Sequence, residues 1–389
     1  AAIDTAVSNG FGKIYIPAGT FFIDQTILLK NNTEIYGDGE KTILMRGNTK
    51  SNVPWYGGVG YCERNIGFAG RVLFWNSRYN CGNGNISLHD FVIDGSLVTT
   101  VPASVSIALS AVENVEISRL TIRNVPQDGI FIRNGGVNTV IRDTVIDGHN
   151  LLWNNGGGIN IEMRGDGNIP VTGSAPVRIE GNTIIVRGPS FCKENGLKTC
   201  SFDSDCETSC GDVSNIMGIT ATWVDGQFAP AIRIVNNLIK VTNSHTAIVC
   251  NGCRDSIIEY NRIESLSSTT QRSGLFTGIL SEHPRGGSGR NISVSRNTII
   301  GSGSPRDGLA ILLSSNSVDS DLATIRENTI SNKNVLFALG TIGLRGYRDF
   351  VIDGNKLTDI VNGPGIEIGS CSAGWLTTRS GIVNNNQVM

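Results

Sequence analysis

The chain has 389 residues, a formal net charge of −2, 17% charged residues and 48 glycines. That balance supplies no basic face for nucleic acid or an anionic membrane. No apolar run reaches the roughly 18 residues of a membrane span.

Residues 1–11 read as a short amphipathic cap, Ala1–Asn9 carrying the helical pattern. Alternating segments follow at Gly12–Phe21, Ile27–Lys30 and Thr33–Gly39. Three segments then share one rhythm, an aliphatic residue, two others, a corner residue, one more and an aliphatic: Leu88–Ile93, Ile117–Ile122 and Ile141–Ile146. Their corner residues are Phe91, Leu120 and Thr144. From Ile179 onward the corner residue is Asn seven times, at Asn182, Asn237, Asn261, Asn297, Asn328, Asn355 and Asn386, with gaps of 55, 24, 36, 31, 27 and 31 residues. A period near 30 built on short β-type segments is the mark of stacked coils.

A second phrase runs in step with the first. Asp128-Gly-Ile-Phe-Ile, Gly157-Gly-Ile-Asn-Ile, Met217-Gly-Ile-Thr-Ala, Thr277-Gly-Ile-Leu-Ser and Asp307-Gly-Leu-Ala-Ile are among its instances. Apolar residues alternate with anything, as in a strand with one buried face. The small residue before each strand suits a tight corner where Gly takes positive φ. No helical spacing lies between strands, which excludes a βαβ reading. The predicted fold is all-β: a single-stranded right-handed parallel β-helix over residues 1–389, read as one domain with an N-terminal capping helix. An inward Asn at one corner of each coil can bond neighbouring backbone, giving an Asn ladder that begins at Asn182.

The 55-residue gap is filled by an insertion at residues 187–214 that carries Cys192, Cys200, Cys206 and Cys210. Their spacing differs from the close pairs of a zinc site and fits a disulfide-stapled loop. Cys250 and Cys253 suit a local disulfide or packed thiols, and Cys62 with Cys81 could staple another loop. Nine cysteines point to a secreted or surface-exposed protein. The chain starts inside a helical pattern and stops after an Asn phrase with no capping segment. A piece of a longer chain is therefore expected, and association through the open C-terminal coil would cover its edge.

Residues 1–44 resemble the amino-terminal cap and first coil of the pectate-lyase superfamily. There a helix precedes a strand like Gly12-Lys-Ile-Tyr-Ile-Pro-Ala-Gly-Thr-Phe21 and a turn like Gly37-Asp-Gly39. The resemblance implies a polysaccharide bound along the groove of the helix, and its members include lyases, glycosidases, epimerases and phage tailspikes. The Asn-Thr-Asp, Asp-Asp, Gly-His-Gly series of polygalacturonases is matched at most at Gln127-Asp128-Gly129, with Gly157-Gly158 where its Asp pair would fall. The Asp-Pro-His motif of alginate epimerases is absent.

Alternation sorts outward residues into two rows. One is read as Arg133, Glu162, Thr222, Asn251, Glu282, Leu312 and Arg345; the other as Phe131, Asn160, Thr220, Val249, Leu280, Ala310, Gly343 and Glu367. A polar centre follows around Asn160, Glu162, Thr220 and Thr222, with Trp153 and Trp223 as sugar-stacking platforms. Glu162 and Glu282 lie about 14 Å apart and Asp128 and Glu162 about 16 Å by strand spacing. Neither pair fits a glycosidase, so a hydrolase would need a loop carboxylate such as Asp225 or Asp166. A lyase needs a cation for a uronate carboxyl and a base tuned toward neutrality. Arg133 or Arg164 supplies the cation and His149 or His245 the base, with Asp128 and Glu162 the carboxyls of the site. Arg133 with Glu162 could equally be a cross-strand ion pair, and either His an ordinary loop residue. No three acidic residues share one register, so a metal, calcium included, is not expected. The reading is a secreted enzyme cleaving uronic-acid polymers by β-elimination. Its rivals are a β-helical glycoside hydrolase and a non-catalytic glycan-binding or fibre protein.

Overall fold

Three identical demands recur in each coil: an aliphatic residue inward, its neighbours outward, and a corner that keeps the chain turning. In a computed structural model of the chain, these demands are met by three long parallel sheets. The structure describes residues 5–6, 9, 12–50, 72–78, 81–98, 105–134, 136–148, 155–164, 176–186, 190–192, 199–200, 210–211, 215–224, 231–241, 246–265, 277–281, 291–301, 309–314, 322–331, 341–360, 364–369 and 380–389.

Sheet A runs over twelve strands from Lys13–Tyr15 to Ser380–Asn384. Sheet B has twelve, from Gly19–Gln25 to Gln387–Val388, and sheet C eleven, from Ile27–Leu29 to Ile366–Ile368. Every strand in these sheets pairs in parallel with the strand one coil away, so the fold is the parallel β-helix expected from the repeats. Thr5 and Ala6 are helical, and the Asn9 N–H donates to the Thr5 carbonyl at 2.9 Å. In the insertion, Ser190–Cys192 pairs antiparallel with Thr199–Cys200 and with Cys210–Gly211, which sets Cys192 opposite Cys210. Among the described residues no helix is long and apolar enough to cross a membrane.

The interior is built by repetition. In sheet C, Ile107, Ile130, Ile159, Ile219, Ile248, Ile279, Ile311 and Ile342 stack on one another, all fully buried. Each contributes roughly 2 kcal/mol of apolar burial.

The Asn ladder is continuous from Asn182 to Asn386. At each step the backbone N–H and the Nδ2 of one Asn both donate to the Oδ1 of the next, as Asn237 does to Asn261 at 3.0 Å. Nδ2 also donates to a carbonyl of the preceding coil, Ile179 for Asn237 at 2.8 Å. Thr144 extends the ladder one coil further: its N–H donates to Asn182 Oδ1, and its hydroxyl accepts from the Leu120 N–H. Leu120 and Phe91 then close the corner with apolar packing.

The residue before each ladder position is left-handed, with φ of 50–67° at Asp90, Arg119, Asp143, Gly181, Asn236, Tyr260, Arg296, Glu327, Gly354 and Asn385. Only two of the ten are glycine. A non-glycine residue there costs about 1–2 kcal/mol, which from Asp143 onward the buried ladder bonds of the following residue offset. By contrast, among the described residues the glycines that open the sheet C strands, such as Gly129, Gly218 and Gly278, do not adopt positive φ, contrary to the sequence reading. Gly218 and Gly278 are required because a Cβ would stand 2.6 Å from the Ala247 carbonyl and 2.5 Å from that of Ala310.

Cys250 and Cys253 form a disulfide with both residues fully buried. Cys81 is disulfide-bonded, while Cys62 lies outside the described residues.

Candidate functional site

Strand alternation on sheet C turns every second residue away from the coil interior. The observed register follows one outward row through Leu28, Trp75, Ala108, Phe131, Asn160, Thr220, Val249, Leu280, Leu312, Gly343 and Glu367. The other runs through Ser110, Arg133, Glu162, Thr222 and Asn251, and resumes at Ser314 and Arg345. The sequence reading therefore holds through Asn251 and Leu280, slips by two residues at the Leu309–Ser314 strand, and holds again at Gly343, Arg345 and Glu367. Ile311 takes the inward place opposite Ile279, so Leu312 rather than Ala310 lies beside Leu280, and Ser314 replaces Leu312 beside Arg345. The Asp307-Gly-Leu motif misleads because Ala310 takes the place beside Gly278.

Asn160, Glu162, Thr222 and Asn251 are partly exposed, whereas Phe131, Arg133 and Thr220 are buried. Arg133 faces Glu162 directly across the ladder, and Glu162 faces Thr222. Asp128 precedes this strand and is only 1% exposed. Its Oδ1 accepts the Gly157 N–H at 2.6 Å and stands 3.5 Å from Asn160 Nδ2. Burial pushes the Asp128 carboxyl up to about 7 against these two hydrogen bonds, and the negative charge of Glu162 adds to the rise. Glu162 thus acts on Asp128 electrostatically, which the 16 Å strand-spacing estimate did not anticipate. A buried carboxyl pushed up toward neutrality can both accept and deliver a proton.

The remaining sequence candidates are not brought to this patch by described side chains. His149, Trp153, Asp166, Asp225, His245 and Glu282 lie outside the described residues. Arg164 and Trp223 are placed by backbone alone, Arg164 opposite Val224 and Trp223 opposite Met163.

A second charged cluster, not singled out by the sequence, lies on the outer face of sheet A. His89 Nδ1 stands 2.7 Å from Asp90 Oδ2 and its Nε2 3.2 Å from Glu34 Oε1. Arg119 forks onto both Asp90 oxygens at 2.7 and 2.8 Å, and Lys13 meets Glu34 at 2.9 Å. The Arg119 guanidinium, with help from His89, holds the Asp90 carboxyl down at about 2. Tyr36 stacks on His89 with centroids 5.5 Å apart. The signal was available in the rhythm, since Tyr36, His89 and Ser118 stand in register at the ends of successive sheet A strands and Arg119 follows directly.

Residues 1–166 match the family described as rhamnogalacturonase A/epimerase, pectate lyase-like. The chain is 29% identical over 144 residues to the pre-neck appendage protein of Bacillus phage B103, covering 35% of this chain and 15% of that protein. It thus spans a small part of that relative's length. Among solved structures it is similar to PfbA, a surface adhesin of Streptococcus pneumoniae, at 16% identity and a TM-score of 0.63 over 92% of this chain and 79% of that one. The tailspike of E. coli bacteriophage HK620 gives 12% identity and a TM-score of 0.57 over 99% of this chain and 61% of that one. These structural likenesses establish a shared fold.

Proposed function

We propose that this chain, a pectate-lyase-like right-handed parallel β-helix, is an extracellular or surface enzyme that cleaves a uronic-acid-containing glycan on the outer face of sheet C. The observation that carries the reading is Asp128, a carboxyl pushed up to about 7 beside the partly exposed Glu162 and on the same coil as Arg133. β-Elimination needs one group to take the C5 proton of a uronate and another to give a proton to the departing oxygen. In this reading Glu162 takes the proton from the exposed side. Asp128, its buried carboxyl pushed up to about 7, returns one to the leaving group. The Arg133 guanidinium offsets the uronate charge, and Asn160 and Thr222 orient hydroxyls. The buried Cys250–Cys253 disulfide agrees with an oxidising compartment.

A glycoside hydrolase using a loop carboxylate is the rival enzymatic reading, and the fold shared with an adhesin and a tailspike suits a binding protein. Incubation with a panel of uronic-acid and neutral glycans separates the three. Ultraviolet absorbance of unsaturated uronate supports the lyase, and new reducing ends without it support the hydrolase. Binding without either product rejects the enzymatic reading.

A further inference from the structure

Among the described residues, the outward rows of sheet C are polar and partly exposed over a short stretch at Asn160, Glu162, Thr222 and Asn251, and again only at the Arg345–Glu367 ion pair near the far end. Leading up to the candidate site, the outward residues Trp75, Ala108 and Phe131 are 3%, 0% and 1% exposed although they point away from the coil interior. With Val72 and Val105 they form an apolar cluster separate from the main core, with Leu28 packed against it. On the far side the same row returns to apolar residues: Val249 is 4% and Leu312 6% exposed, with Leu280 between them. The partly exposed polar residues Asn160, Glu162, Thr222 and Asn251 span three successive coils. At strand spacing that window is about 10 Å long.

A polymer threaded along the helix axis needs sugar-binding groups over many coils. Among the described residues the outward row is apolar on both sides of the window, sealed before it at Trp75, Ala108 and Phe131 and buried beyond it at Val249 and Leu312 with Leu280 partly exposed, and burying a sugar's hydroxyls against such walls without partners is unfavourable. We infer that the site takes the end of a glycan chain, or a short acidic oligosaccharide, and that the enzyme acts in an exo fashion. The inference rests on the proposed glycan site on sheet C and adds the part of the polymer that it accepts. The walls set the specificity, because an internal segment would have to displace the Trp75–Ala108–Phe131 cluster or pass over Leu280 and Leu312.

The test follows product size and binding together. With a cleaved polymer, products from the earliest time points are mono- to trisaccharides, solution viscosity falls slowly, and a polymer chemically blocked at both ends loses turnover. Oligomers of intermediate size at early times, or an unchanged rate on the blocked polymer, overturn the exo inference and leave the glycan site standing. Should no glycan be cleaved, titration calorimetry with uronate oligomers decides. A trisaccharide binding within about threefold of the full polymer on a per-chain basis supports the closed window. Affinity that keeps climbing beyond that length, or binding that survives blocking of both ends, overturns it. Binding of no glycan at all overturns both readings.

Discussion

Asp90 and Asp128 begin with the same side chain and end with opposite properties. On sheet A, Asp90 is held by the Arg119 fork and by His89, and its carboxyl is drawn down to about 2. Beside sheet C, Asp128 is sealed from water with one backbone N–H and a distant Asn160 amide, and it is pushed up to about 7. The difference shows what each cluster can do. A carboxylate committed to a guanidinium clamps neighbouring coils together. One that is buried with less compensation is unstable as an anion and therefore ready to carry a proton.

The sharpest way to break this contrast is at Glu162. Glu162→Gln removes the partly exposed carboxyl and is expected to lower turnover on a cleavable glycan by about 10²–10⁴-fold. It also removes a charge that raises Asp128, so the alkaline limb of any residual pH profile moves to lower pH. A retained rate with an unmoved profile rejects the pairing.

Asp128→Asn separates activity from stability. Because burial pushes the folded carboxyl up to about 7 from its ordinary value of 3.8, the folded state binds more protons than the unfolded chain between these values. Its stability contribution is therefore intact below about 4 and is lost as pH rises through 7, by an amount on the order of 4 kcal/mol. The neutral Asn variant, which can still accept from Gly157, is expected to be the more stable protein at pH 8 and to lose that advantage at pH 4. Melting temperatures across this range check it, and a pH-independent difference would refute it.

On sheet A the sign reverses. Asp90 stabilises the fold above about 4, and that contribution is lost as pH falls toward its folded value of about 2. Arg119→Met is expected to cost about 1 kcal/mol at pH 7, reduced by the exposure of the arginine, and to cost nothing near pH 2. The same variant leaves glycan turnover unchanged. At the lower end of the scale, Lys13→Met removes a solvent-exposed partner of Glu34, and no shift in melting temperature is expected at physiological salt.

Legibility followed how local each determinant is. Alternation and the Asn phrase are confined to a few residues, and a single inward residue type suffices to specify them. The coil architecture, the ladder from Asn182 and the rows from Arg133 to Asn251 were therefore readable. The Leu309–Ser314 strand was not, because Asp307-Gly-Leu imitates the earlier phrase two places out of step, and the rows are readable again at Gly343, Arg345 and Glu367. The left-handed corners at Arg119, Tyr260, Arg296 and Glu327 also escaped notice, since nothing in these residue types announces positive φ. Of the candidate site, Asp128, Asn160, Glu162 and Arg133 were nameable from the strand pattern. Their division into a buried proton carrier and a partly exposed partner was not.

The sequence by itself determined a solenoid, its core stacks and its hydrogen-bonded corner, because each arises from a repeat that stacks on a copy of itself. Only the tertiary structure decided that Asp128 is sealed from water while Asp90 is clamped by Arg119, and that the polar window on sheet C is walled by apolar residues on both sides. Burial and charge proximity depend on what lies one coil away, a separation of 20 to 60 residues in sequence that no local pattern encodes.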